Sequence, residues 1–157
     1  MIRLNKLTDY AVVVMAELAV RPERLTASRL AERTSIPQPT VAKLLKQLAG
    51  SGLALAHRGR DGGYTLNGPA DAITVVQIIE AIEGPLAVSA CVEGDHDTCE
   101  FERQCPLNGR WDAVNSVIRS ALAQVTLAQM VSTPLGLAAA LGPVAAPAAT
   151  DSAAAVA

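Results

Sequence analysis

Apolar residues recur at three- and four-residue intervals through much of this chain, and each run ends on a recognisable stop. Leu7, Ala11, Val14 and Leu18 define a first amphipathic helix, with Thr8 or Asp9 placed to cap or charge its first turn and Pro22 closing it. Thr26 stands as N-cap before a short helix over residues 27–33, which Ser35-Ile36-Pro37 breaks. A third helix, from about Pro39 to Ala49, carries Val41, Leu44, Leu45 and Leu48 on one face, and Gly50 and Gly52 end it. Residues 53–57 and 64–66 then read as two short strands around the Gly-rich tip Arg58-Gly59-Arg60-Asp61-Gly62-Gly63. Helix, helix, turn, helix, hairpin is the order of a winged helix.

Beyond the hairpin, Thr74-Val75-Val76-Gln77 has capping-box form and opens a helix to about Glu83, stopped by Gly84-Pro85. A cysteine-bearing segment, 91–105, follows as a long connection. Leu107, Trp111, Val114, Ile118, Ala121 or Leu122, and Val125 then run at helical spacing through a predicted long helix, 107–125. Such a helix downstream of the core needs a surface to pack on, and in a small chain a second copy commonly supplies it. Residues 133–157 are rich in Ala and Pro, carry one charge and show no period, so a mobile tail is expected there.

Composition sharpens this picture. Half of the 157 residues are apolar but only 3% are aromatic, so a core of Leu, Ile, Val and Ala in helices is expected: mainly α, one winged helix-turn-helix domain over 1–132 with a long C-terminal dimerisation helix. No apolar run reaches the ~18 residues of a membrane span, and the first residues lack a secretory pattern, which points to a cytoplasmic protein. The net charge of -2 conceals a split: residues 1–69 hold ten Lys and Arg against five acids, a balance of +5, while the remainder stands at -7. A basic first half suggests a polyanion partner for that half alone.

The third helix suits double-stranded DNA. Gln38, Thr40, Lys43 and the Lys46-Gln47 pair lie away from its apolar stripe, where Gln and Thr can bond base edges and Lys can meet phosphate or guanine. In the hairpin, Arg58 and Arg60 suit a narrow, negative minor groove, with Gly59 allowing close approach and Tyr64 following the tip. Any one of these residues alone reads equally well as solvated surface; the helix and the loop together favour DNA.

Cys91, Cys99 and Cys105 form an odd set within fifteen residues, which fits a metal or redox site better than a disulfide framework. Zinc sites usually pair cysteines two to four apart, and this segment has no such pair, so an iron-sulfur cluster ranks above zinc and above free thiols, with all three open. The acids Glu93, Asp95, Asp97, Glu100 and Glu102 disfavour a bare reactive thiolate. No nucleotide fingerprint or paired redox cysteines point to an enzyme.

Taken together, Arg3-Leu4, Leu7-Thr8-Asp9-Tyr10-Ala11, Ile36-Pro37, Arg58-Gly59-Arg60-Asp61-Gly62-Gly63-Tyr64, the three cysteines and Val125-Thr126-Leu127-Ala128 resemble the Rrf-type winged-helix iron-sulfur transcription regulators, the IscR/NsrR group. Over residues 1–132 the likeness is greatest to the branch that regulates the SUF cluster-assembly operon. The resemblance implies a homodimer on a two-fold symmetric operator, a 2Fe-2S or 4Fe-4S cluster on Cys91, Cys99 and Cys105, and repression that follows cluster status. Asn108 stands where relatives carry a ligating His, and the first cysteine gap is longer than is common in that branch. The resemblance assigns the fourth ligand to Asp9 from the partner subunit, as in the nitric-oxide-sensing repressors; His96 is the alternative inside the segment, and the other role open to Asp9 is to complement the helix dipole alone. A nitric-oxide or redox-sensing repressor of the same family is the alternative function, and an iron-sulfur carrier or scaffold is the alternative from another class.

Overall fold

The computed structural model describes residues 4–89, Val92 and residues 110–132. Among the described residues, six helices and one antiparallel hairpin follow in the order α1 (Lys6–Val20), α2 (Ala27–Thr34), α3 (Gln38–Gly50), β1 (Ala54–His57), β2 (Gly63–Leu66), α4 (Val75–Glu83), α5 (Arg110–Ala123) and α6 (Leu127–Val131). The protein is a mainly helical winged helix. Among the described residues no helix is long and apolar enough to cross a membrane. The cysteines, His96, Asn108, the segment 93–109 and the tail 133–157 lie outside the described residues.

Helix α1 is the centre of the fold, packing against α2, α3, α4, α6 and β2. It buries Ala11, Val14, Met15 and Leu18 at three- and four-residue spacing, together with Thr8, against Leu30, Val41, Leu44, Leu45, Leu48, Ile78 and Leu127. Its cap is Asn5, whose Oδ1 accepts from the N–H groups of Leu7 at 2.8 Å and Thr8 at 2.9 Å. This corrects the expectation that Thr8 or Asp9 caps the helix: Thr8 is fully buried and its hydroxyl donates to the Glu83 carboxylate at the end of α4. Asp9 remains in the first turn, exposed, where a negative charge complements the helix dipole.

The helix-turn-helix closes as its sequence dictates. Thr26 Oγ1 accepts from the Arg29 N–H at 3.2 Å, Ser35 takes a left-handed conformation (φ 57°) to end α2, and Pro37 precedes α3. The hairpin pairs Ala54 with Leu66 through His57 with Gly63. Leu25, in the α1–α2 connection, exchanges both main-chain hydrogen bonds with Tyr64 at 3.1 and 2.8 Å, so the wing is fastened to the helical core by a third extended segment.

The apolar repeat that predicts one helix to Val125 is split. Helix α5 stops at Ala123, and Thr126 starts α6 with a capping box that uses Gln129. Residue Thr126 also bridges Thr74, the cap of α4, which has its own box with Gln77: the Val75 N–H donates to the Val125 carbonyl at 2.8 Å and the Leu127 N–H to the Ile73 carbonyl at 2.7 Å. These bonds satisfy main-chain groups that a continuous helix would use internally, and they drive the Leu127 side chain fully into the core. Replacing Leu127 by Ala should therefore lower unfolding free energy by ~2–5 kcal/mol. Urea titration measures this, and a loss below ~1 kcal/mol would mean that α6 is not integral to the core.

Candidate nucleic-acid interface

Two exposed groups of polar side chains lie on elements that the core holds rigidly. On α3 the stripe Val41, Leu44, Leu45 and Leu48 is completely buried, which turns Gln38, Lys43 and Lys46 outward into solvent and leaves Thr40 half-exposed at the first turn. Gln47 does not join them. It is half-buried three residues after Leu44, at the edge of the stripe, and its Oε1 is buried with no hydrogen-bond partner among the described residues. The exposed polar face of α3 is therefore narrower than the polar residues of its sequence imply.

At the wing, Arg58, Gly59 and Arg60 are exposed at the tip, whereas Tyr64 sits at the base, half-buried against the core. The tip is a tight turn in which the Gly62 N–H donates to the Gly59 carbonyl at 3.0 Å. A side chain at Gly62 would place its Cβ 2.7 Å from the His57 carbonyl and 2.8 Å from that of Gly59, and Gly59 itself has φ 102°, so both positions require glycine. Arg24 Nη1 reaches the Asp61 carbonyl at 3.5 Å, and His57 Nε2 bonds Thr65 Oγ1 at 2.9 Å across the strands. The two arginines are thus presented on a braced support, so any ligand that meets them costs less ordering entropy than it would at a free loop. Sequence reading missed Arg24, because only the fold brings it to the wing.

Asp9 lies apart from this surface. It lines an open cavity of about 880 Å³ with Leu4, Asn5 and Lys6. Among the described residues its carboxylate makes no hydrogen bond or ion pair, and no three His, Cys, Asp or Glu side chains gather in metal-binding array.

Helix α5 packs on α4 with unusual economy. Asn115 is its only buried residue, while Trp111 is 40% and Val114 44% exposed. Arg119 binds the Glu80 carboxylate through Nε at 2.8 Å and Nη2 at 3.1 Å. Those hydrogen bonds, with the guanidinium charge and the Leu86 N–H, outweigh partial burial and hold the Glu80 carboxyl below the ordinary value of 4.5. A carboxyl whose folded pKa is depressed contributes stability above its unfolded pKa and loses it as pH falls through the folded value. The stability gap between wild type and Arg119→Gln should accordingly stay constant from about pH 7 to about pH 5 and close below 4.5 in urea titrations. A gap that persisted in acid would assign Arg119 a role other than this ion pair.

A helix-turn-helix followed by an arginine-tipped hairpin is the fold of winged-helix DNA-binding regulators. The family model described as an iron-dependent transcriptional regulator, Rrf2, matches residues 4–133, and the chain belongs to the Rrf2 family of transcription regulators, which are not enzymes. It is 31% identical over 137 residues to the HTH-type transcriptional repressor NsrR of Streptomyces coelicolor, a match covering 85% of this chain and 91% of that one. Among solved structures it is similar to the IscR of T. potens (TM-score 0.62, 26% identity, 83% of this chain and 86% of that chain). It is also similar to CymR, the global cysteine regulator of B. subtilis (TM-score 0.64, 25% identity, 83% and 97%).

Proposed function

We propose that the protein is a cytoplasmic, homodimeric repressor that binds a two-fold symmetric operator and controls SUF-type cluster-assembly genes according to an iron-sulfur cluster it carries. The observation that carries this reading is the division of one small chain into a basic, firmly packed winged helix and an acidic segment with three cysteines, in a family of iron-dependent transcriptional regulators. Gln38, Thr40, Lys43 and Lys46 read the major groove, and Arg58, Gly59 and Arg60 enter the minor groove, with Tyr64 supporting the wing. The domain extends over 1–132, leaving 133–157 as an appended tail.

Three thiolates are the soft donors that iron-sulfur clusters take, and an exposed carboxylate without a described partner fits the remaining position. Cys91, Cys99, Cys105 and the partner's Asp9 would hold the cluster, which supplies a group whose loss or gain changes the charge and order of the 91–105 segment. Aspartate is a hard ligand with a more exchangeable bond to iron, which suits a position that must respond to a signal. A second reading, a redox-responsive regulator acting through free thiols, draws on the similarity to the global cysteine regulator.

Anaerobic purification with iron and sulfide counts and visible spectra tests both. Wild type and His96→Ala should carry iron, sulfide and a visible band, Cys99→Ala should lose all three, and Asp9→Ala should keep a cluster that bleaches faster in air. Wild-type protein without iron or sulfide would overturn the cluster and leave the thiol reading. An Asp9→Ala spectrum and lifetime equal to wild type would return Asp9 to a helix-dipole role.

A further inference from the structure

The one buried residue of α5 is polar, and both ends of its amide are used. Asn115 Nδ2 donates to the Leu86 carbonyl at 2.8 Å, and its Oδ1 accepts from the Val88 N–H at 3.2 Å. A side-chain amide whose donor and acceptor are both used by main chain two residues apart holds that stretch at one place on α5, since moving it breaks both bonds at once. Pro85, Leu86 and Asn115 line a cavity of about 360 Å³ with Glu80 and Arg119, one turn further along α5. Leu86 and Val88 are half-buried, and the amide adds to that burial a directional constraint on where residues 86–88 sit. Immediately beyond, Val92 is buried and its N–H donates to the Ser89 carbonyl at 3.1 Å.

We propose that Asn115 is a positioning residue that couples the cysteine segment to α5, by holding the main chain of Leu86 and Val88 in register on that helix. This rests on the reading that the cysteine segment senses and α5 joins the subunits. Under it, any change in the segment that displaces residues 86–88 pulls on α5 through the amide, and α5 carries that displacement toward the second subunit. Arg119 keeps α5 on α4 through the Glu80 carboxylate while this happens, and Glu80 also accepts from the Leu86 N–H. Removing the Arg119 guanidinium should loosen the helix without abolishing the register.

The test uses the full chain as wild type, Asn115→Leu, Asn115→Asp and Arg119→Gln. Asparagine to leucine keeps the branched skeleton and removes both hydrogen bonds; aspartate can still accept from Val88 but repels the Leu86 carbonyl. Hydrogen exchange of the cluster-free proteins, followed by mass spectrometry, should show exchange at residues 85–89 and 110–117 rising about tenfold in Asn115→Leu, less in Asn115→Asp and little in Arg119→Gln. The ratio of operator affinities between cluster-loaded and cluster-free protein should collapse toward one in Asn115→Leu, while its visible spectrum stays that of wild type. If Asn115→Leu does not fold, Asn115→Asp carries the same comparison. Unchanged exchange, or an affinity ratio equal to that of wild type, would overturn the proposal. A wild-type ratio of one would instead sink the sensing reading, and exchange alone would then decide whether Asn115 registers the segment.

Discussion

A Val114→Asp chain is expected to sediment as a folded monomer at concentrations where the wild type is a dimer, and to lose most of its operator affinity. The argument begins from exposure: Val114 is 44% and Trp111 40% exposed in the single chain, so a charge at 114 meets water, not core, in the monomer. Intrinsic stability should therefore change by less than ~0.5 kcal/mol. If α5 is the dimer element, the same carboxylate is buried against its symmetry mate without a partner, a penalty of ~3–5 kcal/mol that weakens self-association by ~10²-fold or more. Ile118→Asp, half-buried one turn further on, should behave alike with some loss of fold stability. Sedimentation equilibrium beside urea titration separates the two effects. A dimer of undiminished affinity would place the interface elsewhere.

The second large effect is expected at the wing. Arg58→Ala with Arg60→Ala should reduce operator affinity by ~1–3 kcal/mol for each arginine that reaches a groove, and flatten the slope of log affinity against log salt by about 0.9 for each phosphate contact removed. Because the tip is braced by Arg24, by the Gly62 turn and by the Leu25–Tyr64 bridge, removing the two side chains leaves the loop in place. The loss then reports on contact and not on unfolding. Changes at Gln38, Thr40 or Lys43 should behave differently, shifting sequence preference by ~1–3 kcal/mol per base contact while leaving the salt slope nearly intact. Fluorescence anisotropy on one operator over a salt series, and on mutated operators at one salt, distinguishes the classes. Equal salt slopes for wild type and the double variant would remove the wing from the interface.

The elements that local chemistry determines were the ones legible in the sequence. Thr26, Ser35-Ile36-Pro37, Gly50 and the Thr74–Gln77 box each act within four residues, and each stands where its spacing indicates. The cap of α1 was misread because Asn5, Thr8 and Asp9 are all capable residues, and the choice among them is made by Glu83, 75 positions away from Thr8. In the same way α6 was overlooked: Val125 continues the apolar repeat of α5, and the Thr126–Gln129 box, of the same form as that at Thr74, was outweighed by it. Asn115 left a weak signal, a polar residue between Trp111 and Ile118 at seam spacing, but its purpose depends on main-chain groups that no pattern names.

The bridge between Thr74 and Thr126 closes a circuit of 52 positions that contains α4, the cysteine segment and α5, while α3 and the wing lie outside it. Closure entropy grows only with the logarithm of length, so even doubling such a circuit costs ~0.6 kcal/mol. Residues added to or taken from the cysteine segment would therefore alter what is held inside without loosening the two threonines that seal it. On this argument the fold is a socket: inserts of different length and chemistry are expected to leave the half that carries α3 and the wing in shape.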